Sequence, residues 1–483
     1  MRVNYRGNTT PRYQLLSDDQ IEEILSGSLE VLERVGVRVH DEGAVELLSG
    51  GGAHTQDGTL VKIPSFMVKR ALATAPGRIV LAGRDGKRNV ALEKDRVYFG
   101  TGSDCPFFVD PHTGKRRATV FEDVVNAGKV TDALPNIDFF MSLGLVSDVP
   151  RKPYDRHQFL AMTTGTAKPL VITAVDGHGL LDQHEMACLI VGGRENFRQN
   201  PIFAVYLEPS SPLVHSREAV EKLIIAAQEG IPAVYVPAPS AGGTAPVTLA
   251  GVLVEGLADT LAGLVISQLK SPGAPLIMGG VFTSLDMRTT VFSYGAPELL
   301  LMDAALTDIS KKLGIPVFST AGCSDAKELD QQAGLEAGVS ILMAAQSGAN
   351  LIHDVGYLES GLLGSLDMLV LSDETISMVK RIMRGINVNP ETVALDVISR
   401  VGPGGHFLDD DHTIAHFKRE IWIPDLIDRS NLEDWEKGGR KSLGDRVRMR
   451  VHEILKDHEP LPLEEKLLKE LKAIISRADE KYA

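Results

Sequence analysis

Aromatic residues are scarce in this chain, and so are cysteine and tryptophan: 5% of positions are Phe, Trp or Tyr, with three cysteines and two tryptophans. Three thiols (Cys105, Cys188, Cys323) cannot make a paired framework, and none stands in a CxxC or CxH spacing. A disulfide scaffold and a zinc finger are therefore excluded, and a reducing, cytoplasmic compartment is expected. Positive charge is also in deficit. Lys plus Arg number 50 against 64 Asp plus Glu, a net charge of −14, which argues against nucleic-acid or anionic-membrane partners. No apolar run is read as reaching the ~18–20 residues of a membrane span, and the polar start, residues 1–13, lacks the apolar core of a signal peptide. No glycine-rich dinucleotide or Walker fingerprint follows an apolar run.

What is present is a repeat of short, β-branched runs separated by helical spacing. The runs are 97–101, 137–144, 170–175, 202–208, 233–237, 276–282, 317–323 and 350–354. Between them lie helix-like segments such as 217–229, 249–268, 298–313 and 330–347. Several runs are entered through Gly-Ile-Pro or Xaa-Pro, where proline stops a helix and opens an extended segment. Continuous apolar strands alternating with helices predict a parallel sheet buried on both faces, and eight units predict a closed (β/α)₈ (TIM) barrel, an α/β fold. The expected division is an N-terminal helical extension over 1–95, the barrel over 96–385, and a C-terminal extension over 386–483 that packs on it. Helices are expected at 18–35, capped at a Ser-Asp-Asp start with Glu22 following, near 65–75, and at 463–481, the last a solvated face or oligomer contact.

A barrel of this kind builds its site at the C-terminal ends of the strands. The residues leaving the runs are Tyr98, Phe99, Asp104 and Cys105 from the first; Asp176 from the third; Tyr206 and Glu208 from the fourth; and Tyr235 from the fifth. The sixth gives Phe282, Asp286 and Arg288, the seventh Cys323, Asp325 and Lys327, and the eighth His353, Asp354, Tyr357 and Glu359. Rings at strand ends, in a chain so poor in rings, suit a cation, above all a quaternary ammonium. The plain alternative is barrel filling for each ring and a helix cap for each carboxylate. A nucleophilic Cys323, a zinc site at Cys323, His353 and Asp354, and a phosphate cradle at 240–248 are weaker readings, and no metal is expected. His178 and His184 read as surface histidines.

Whole stretches of the chain resemble the trimethylamine methyltransferase family: 320–336 (TAGCSDAKELDQQAGLE), 347–361 (SGANLIHDVGYLESG), 278–298 (MGGVFTSLDMRTTVFSYGAPE), the start PRYQLLSDDQIEEIL and 401–417 (VGPGGHFLDDDHTIAHF). The resemblance covers nearly the whole chain. It implies a (β/α)₈ barrel that moves a methyl group from a methylated amine to the cobalt of a corrinoid (cobalamin) on a partner protein, in methylamine metabolism of the methanogenic or acetogenic type. Members that use trimethylamine carry pyrrolysine. Only standard residues occur here, so the resemblance points to the pyrrolysine-free members that act on quaternary amines, glycine betaine foremost, with no tightly bound cofactor.

On strand-end logic, Tyr98, Phe99, Tyr206, Phe282 and Tyr357 are expected to cage the ammonium, and His353, backed by Asp354, and Arg288 to hold a carboxylate. Asp104, Glu208, Asp325 and Glu359 would attract the cation or brace the rim. Proline betaine, carnitine, choline or γ-butyrobetaine are alternative substrates. A betaine-binding barrel without turnover and a Schiff-base lyase or aldolase using Lys327 are alternative functions. A homo-oligomer is expected.

Overall fold

A computed structural model describes residues 8–9 and 11–482. The signal-peptide expectation for 1–13 falls mainly on residues outside those described. Seven parallel strands run in the order Leu170–Ile172 (β3), Phe203–Leu207 (β4), Ala233–Tyr235 (β5), Leu276–Gly279 (β6), Val317–Thr320 (β7), Leu351–Val355 (β8) and Tyr98–Thr101 (β1). The ring closes through Phe139 and Phe140 (β2), which make single parallel bridges to Gly100 of β1 and Leu170 of β3. The Phe140 amide donates to Pro169 O at 2.9 Å and the Val171 amide to Phe140 O at 3.0 Å. The second predicted run, 137–144, therefore contributes the shortest stave of an eight-strand barrel.

Burial follows the two-residue period of a strand. Phe139, Val171, Ala204, Val234, Ile277, Phe318 and Leu351 fill the barrel interior in one apolar cluster. Their neighbours Phe99, Phe140, Ile172, Phe203, Val205, Tyr235 and Ile352 join the cluster shared with the helices. An antiparallel hairpin, Ile79–Leu81 with Val90–Leu92, adds four more side chains to the inner cluster. It sits under the N-terminal ends of the strands: the Ala82 amide donates to Pro201 O and the Arg84 amide to Ala167 O, just before β4 and β3. The barrel is thereby closed at its base.

At the opposite end a four-stranded sheet, Tyr357–Leu358, Leu363–Gly364, Phe107–Val109 and Arg116–Ala118, joins the segments leaving β8 and β1. The N-terminal helix, Asp18–Glu30, runs on as a π-turn, Val31–Val35, and its capping box is closed by Ser17 and Gln20 rather than by Glu22. It and helix Ser65–Thr74 lie on the barrel helix Leu249–Lys270. That helix corrects the expectation about apolar runs. Its 22 residues are long and apolar enough to span a membrane, but 78% of the apolar window is buried among neighbouring elements, as a barrel helix covered by a second layer must be. Helix Glu465–Tyr482 is a packed element: Leu471, Ile474, Ile475 and Ala478 are buried, on the side that meets helix Gly177–Val191. His184, read as a surface residue, is buried edge-on against Phe197 at 4.8 Å.

Beneath the mouth, one lysine ties β3 to what precedes β2. The Lys168 ammonium is buried and donates to Thr131 O, Leu134 O and Ile137 O at 2.6, 2.6 and 2.5 Å. Burial lowers it to about 8, yet three acceptors at these distances call for all three ammonium protons.

Candidate active site

The barrel mouth is built from β4, β7, β8 and two loops. On β4 the inward parity places Tyr206 and Glu208 one above the other, and the Tyr206 hydroxyl donates to Glu208 Oε2 at 3.3 Å. On β7 and β8 the same parity stacks Phe318 on His353, 4.1 Å between centroids and 22° from parallel. Tyr206 tilts toward both rings, at 5.9 Å from Phe318 and 6.2 Å from His353. Thr320 Oγ1 and His353 Nε2 are 3.1 Å apart.

Alternation then breaks. Asp354 takes a left-handed backbone conformation, φ +74°, and the β8–β1 register shifts between Ile352 and Val355. This turns the Asp354 carboxylate toward the His353 ring, with Oδ1 2.6 Å from Nδ1. The approach is not aligned for a hydrogen bond: His353 Nδ1 and Asp354 Oδ2 are both buried without a hydrogen-bond partner among the described residues. The charge of Asp354 reaches Tyr206, Glu208, Tyr294, Tyr357, Cys105 and Cys323. It is the electrostatic centre of the mouth.

Three tyrosines border that centre. Tyr357 is buried, its hydroxyl donating to Ser103 O, and Tyr294 meets it edge-on at 6.1 Å and 83°. Burial, with Glu208 near Tyr206 and Asp354 near the other two, pushes all three phenols well above their usual range. Gly102 makes this packing possible: a Cβ there would lie 2.2 Å from Tyr357 Cζ and 2.3 Å from Asp354 Oδ1. Asp104 accepts from Gln158 Nε2 at 3.1 Å and Thr173 Oγ1 at 3.3 Å. Burial raises the carboxyls of Asp104 and Glu208, although Glu208 is reached by solvent through the mouth. Burial and the nearby carboxylates of Asp354, Asp325 and Asp303 also push the Cys323 thiol well up, the reverse of what a nucleophile needs.

Of the residues expected in the cage and clamp, Tyr206, His353 and Tyr357 meet here, with Asp104, Glu208 and Asp354 around them. Four do not. Tyr98 faces inward but at the base, where its hydroxyl accepts from the Ala91 amide of the plug hairpin at 3.3 Å. Phe99, its neighbour on an alternating strand, faces the helices. Phe282 is fully buried against Gly256 of helix Leu249–Lys270, where an added Cβ would meet its ring at 2.4 Å. Arg288 lies on a turn capped by Asp286; its side chain is 91% exposed and its one ion pair is with Asp286, at 3.7 Å.

Two carboxylates brace. Asp325 accepts from the Tyr294 amide at 2.8 Å, from Ser360 Oγ at 2.9 Å and from Ser293 Oγ, so it holds the segment carrying Tyr294. Glu359 is bound to Arg116 Nε at 2.9 Å in the mouth sheet. Lys327 is exposed and donates to Asp325 O, and Tyr235 faces His215 among the helices, its hydroxyl 2.6 Å from Nδ1. Sequence reasoning missed Tyr294, Phe318 and Lys222. Lys222, half-buried, donates to Ala174 O at 2.6 Å beside the exit of β3 and senses Asp104. The strand parity of Phe318 with His353 was the one signal available for these.

A barrel mouth that holds a buried carboxylate, one oxygen of it without a partner among the described residues, beside a histidine and three tyrosines is the kind of place where barrel enzymes bind small molecules. Comparison with known proteins carries this further. The family model for trimethylamine methyltransferase (MTTB) matches residues 1–483, and the chain belongs to that family. It is 33% identical over 467 residues to trimethylamine methyltransferase MttB of Desulfitobacterium hafniense, covering 96% of this chain and 94% of that one. It is 35% identical to trimethylamine methyltransferase MttB2 of Methanosarcina mazei (97% and 96% covered) and 29% identical to a glycine betaine methyltransferase of D. hafniense (98% of each). Among solved structures, the Methanosarcina barkeri monomethylamine methyltransferase (MtmB) superposes with a TM-score of 0.52 at 12% identity, over 99% of this chain and 89% of that one, which shows a shared fold. The protein is thus a methyltransferase of the methylamine and betaine group.

Proposed function

We propose that this enzyme moves a methyl group from a quaternary ammonium, with glycine betaine the first compound to test, to the Co(I) of a corrinoid carried by a partner protein. The observation that carries the reading is Asp354, a buried carboxylate with one oxygen lacking a partner among the described residues, set among Tyr206, Tyr294 and Tyr357. A buried carboxylate oxygen left without a partner costs about 1–3 kcal/mol or more, and a ligand cation beside it offsets that cost. The ring faces add about 0.5–2 kcal/mol each toward a desolvated ammonium.

The partner's corrinoid, when docked, supplies the nucleophile. The chain's own residues hold the ammonium by charge, orient one methyl outward and keep water from the reacting carbon. A quaternary amine departs neutral, so no proton donor is asked of the pocket. That fits phenols held far above their usual range and a sequence composed only of standard residues. With Arg288 outside the mouth, a substrate carboxylate would fall to His353 or Lys222.

The test is anaerobic absorbance with Co(I) cobalamin and one amine per cuvette. Methyl-Co(III) appearing with glycine betaine, and not with trimethylamine, supports the reading. Turnover with choline but not betaine keeps the reaction and moves the substrate to a carboxylate-free ammonium. Turnover with trimethylamine alone, or tight betaine binding without methyl transfer, overturns it.

A further inference from the structure

We infer that Glu208 is the proton donor that traps the demethylated amine: once the methyl group has left, its carboxyl hands a proton to the lone pair exposed on nitrogen. The inference rests on the methyl transfer proposed above and goes one step past it.

Charge creates the demand. The bound ammonium brings one positive charge into a mouth that holds Asp104, Glu208 and Asp354. In the transfer the carbon–nitrogen bond breaks, both its electrons stay on nitrogen, and Co(I) becomes methyl-Co(III). The mouth is then left with its carboxylates and a neutral amine. That amine carries a lone pair in line with the methyl group it has just lost, and can take the methyl back. A proton moved from the Glu208 oxygen to nitrogen restores the cation and closes the return path. Departure asks for no acid; commitment to the forward direction does. The proton has to be held in the mouth beforehand, because a docked partner keeps bulk water away.

Glu208 is the group placed to hold it. It stands two residues beyond Tyr206 on the inward side of β4, about 6–7 Å nearer the opening. A methyl aimed outward leaves the nitrogen lone pair pointing the same way. Among the described residues its one side-chain hydrogen bond comes from the Tyr206 hydroxyl at 3.3 Å, and solvent reaches it, so water can reload it between turnovers. The groups facing it are Tyr206 on its own strand, Asp104 after β1, His353 and Asp354 on β8, and Tyr294 before helix Pro297–Leu313. Burial, with Asp104 and Asp354, raises the Glu208 carboxyl, against the opposing pull of Tyr206 and His353.

The other acids are tied elsewhere. Asp104 Oδ1 is taken by Gln158 and Thr173. Asp354 is 1% exposed, away from the water that would reload it. His353 turns Nε2 to Thr320 and Nδ1 to Asp354. The phenols of Tyr206, Tyr294 and Tyr357, pushed well above their usual value by burial, hold their protons more tightly than an alkylamine, which titrates near ~10.

The test runs the transfer backwards. Full-length wild type and Glu208→Gln receive methyl-Co(III) cobalamin and deuterium-labelled dimethylglycine, or the tertiary amine matching whichever ammonium wild type demethylates. Labelled quaternary product is followed by mass spectrometry from about pH 6 to 9, below the amine's titration. With Glu208 to accept the proton, wild type uses the abundant protonated amine, and its rate is level with pH. Glu208→Gln keeps the size and the acceptor for Tyr206 but has to await free amine. Its rate should rise about tenfold per pH unit and lie about 100-fold below wild type at neutral pH. Glu208→Asp should keep the level profile at a reduced rate. Parallel profiles in wild type and Glu208→Gln, with only the betaine dissociation constant raised, would make Glu208 a charge that attracts the cation and overturn the inference. A wild type that demethylates no quaternary amine overturns the reaction itself, and this step with it.

Discussion

Gly102→Ala asks whether the mouth depends on one missing methyl group. The new Cβ would stand 2.2 Å from Tyr357 Cζ, 2.3 Å from Asp354 Oδ1 and 2.4 Å from Tyr357 Oη, where ordinary contact begins near 3.4 Å. Tyr357 and Asp354 must each retreat by about 1 Å. Neither can do so freely: Tyr357 is wedged against Tyr294 and bonded to Ser103, and Asp354 is fixed by its left-handed backbone beside His353. Overpacking of this kind costs about 1–3 kcal/mol of stability. A 1 Å misplacement of positioning groups costs about 100-fold in rate. The expected result is a folded protein with a lowered melting temperature and methyl transfer to Co(I) cobalamin down by about two orders of magnitude. Gly334→Ala is the control. It lies in helix Gln331–Ser347 with nothing within 4 Å of its added Cβ, and should leave activity alone and raise stability by about 0.4–1 kcal/mol. A folded Gly102→Ala enzyme within about threefold of wild-type activity would refute the packing argument.

Other outcomes follow from the same structure. Lys168→Met leaves three buried carbonyls without their donor and should destabilise by about 3–5 kcal/mol in urea unfolding; a loss below about 1 kcal/mol would show that water replaces the ammonium. Tyr294→Leu removes one ring face and should raise the ammonium dissociation constant by about 2- to 30-fold in calorimetry, while unchanged affinity would place the cation elsewhere. Burial lowers His215 from 6.5 to about 4, so the unfolded chain takes up a proton that the folded chain refuses, and its contribution to stability falls as pH drops from 6.5 to 4. Burial raises Glu255 from 4.5 to about 6, so its contribution is full below pH 4.5 and is lost as pH rises through 6. His215→Gln should therefore tilt the melting-temperature profile toward lower values with rising pH between 4.5 and 6; a profile parallel to wild type would contradict the assignment.

The barrel was legible because its strands are buried on both faces, which leaves long apolar runs that few other folds produce. The site was legible only in part, and the reason is geometric. A strand's period says which side a residue faces, but not how high it stands in the barrel. Tyr98 and Tyr206 both face inward, yet one touches the basal hairpin and the other the mouth. Parity alone rules out Tyr98 and Phe99 pointing the same way, and it pairs Phe318 with Thr320 and Leu351 with His353 on the inner face. Tyr294 belongs to a connection between strand and helix, where no period exists, and its place is set by Asp325 reaching back from the next strand. Arg288 was drawn outward by Asp286 in a tight turn, a local contact invisible to strand-end logic.

The basal hairpin closes the floor of the barrel among the described residues and leaves the mouth as the way in, and that has a consequence in time as well as in space. Amine and methyl acceptor must pass the same doorway, so under the proposed reaction a docked partner stands between the well and the solution. Steady-state kinetics should then be ordered, with the amine entering first and the demethylated product escaping only after the partner departs. Excess demethylated partner should slow the enzyme by occupying an empty well's entrance. Opening the floor, by shortening the hairpin that Ile79, Leu81, Val90 and Leu92 anchor, is the structural change that would give the amine a second way in.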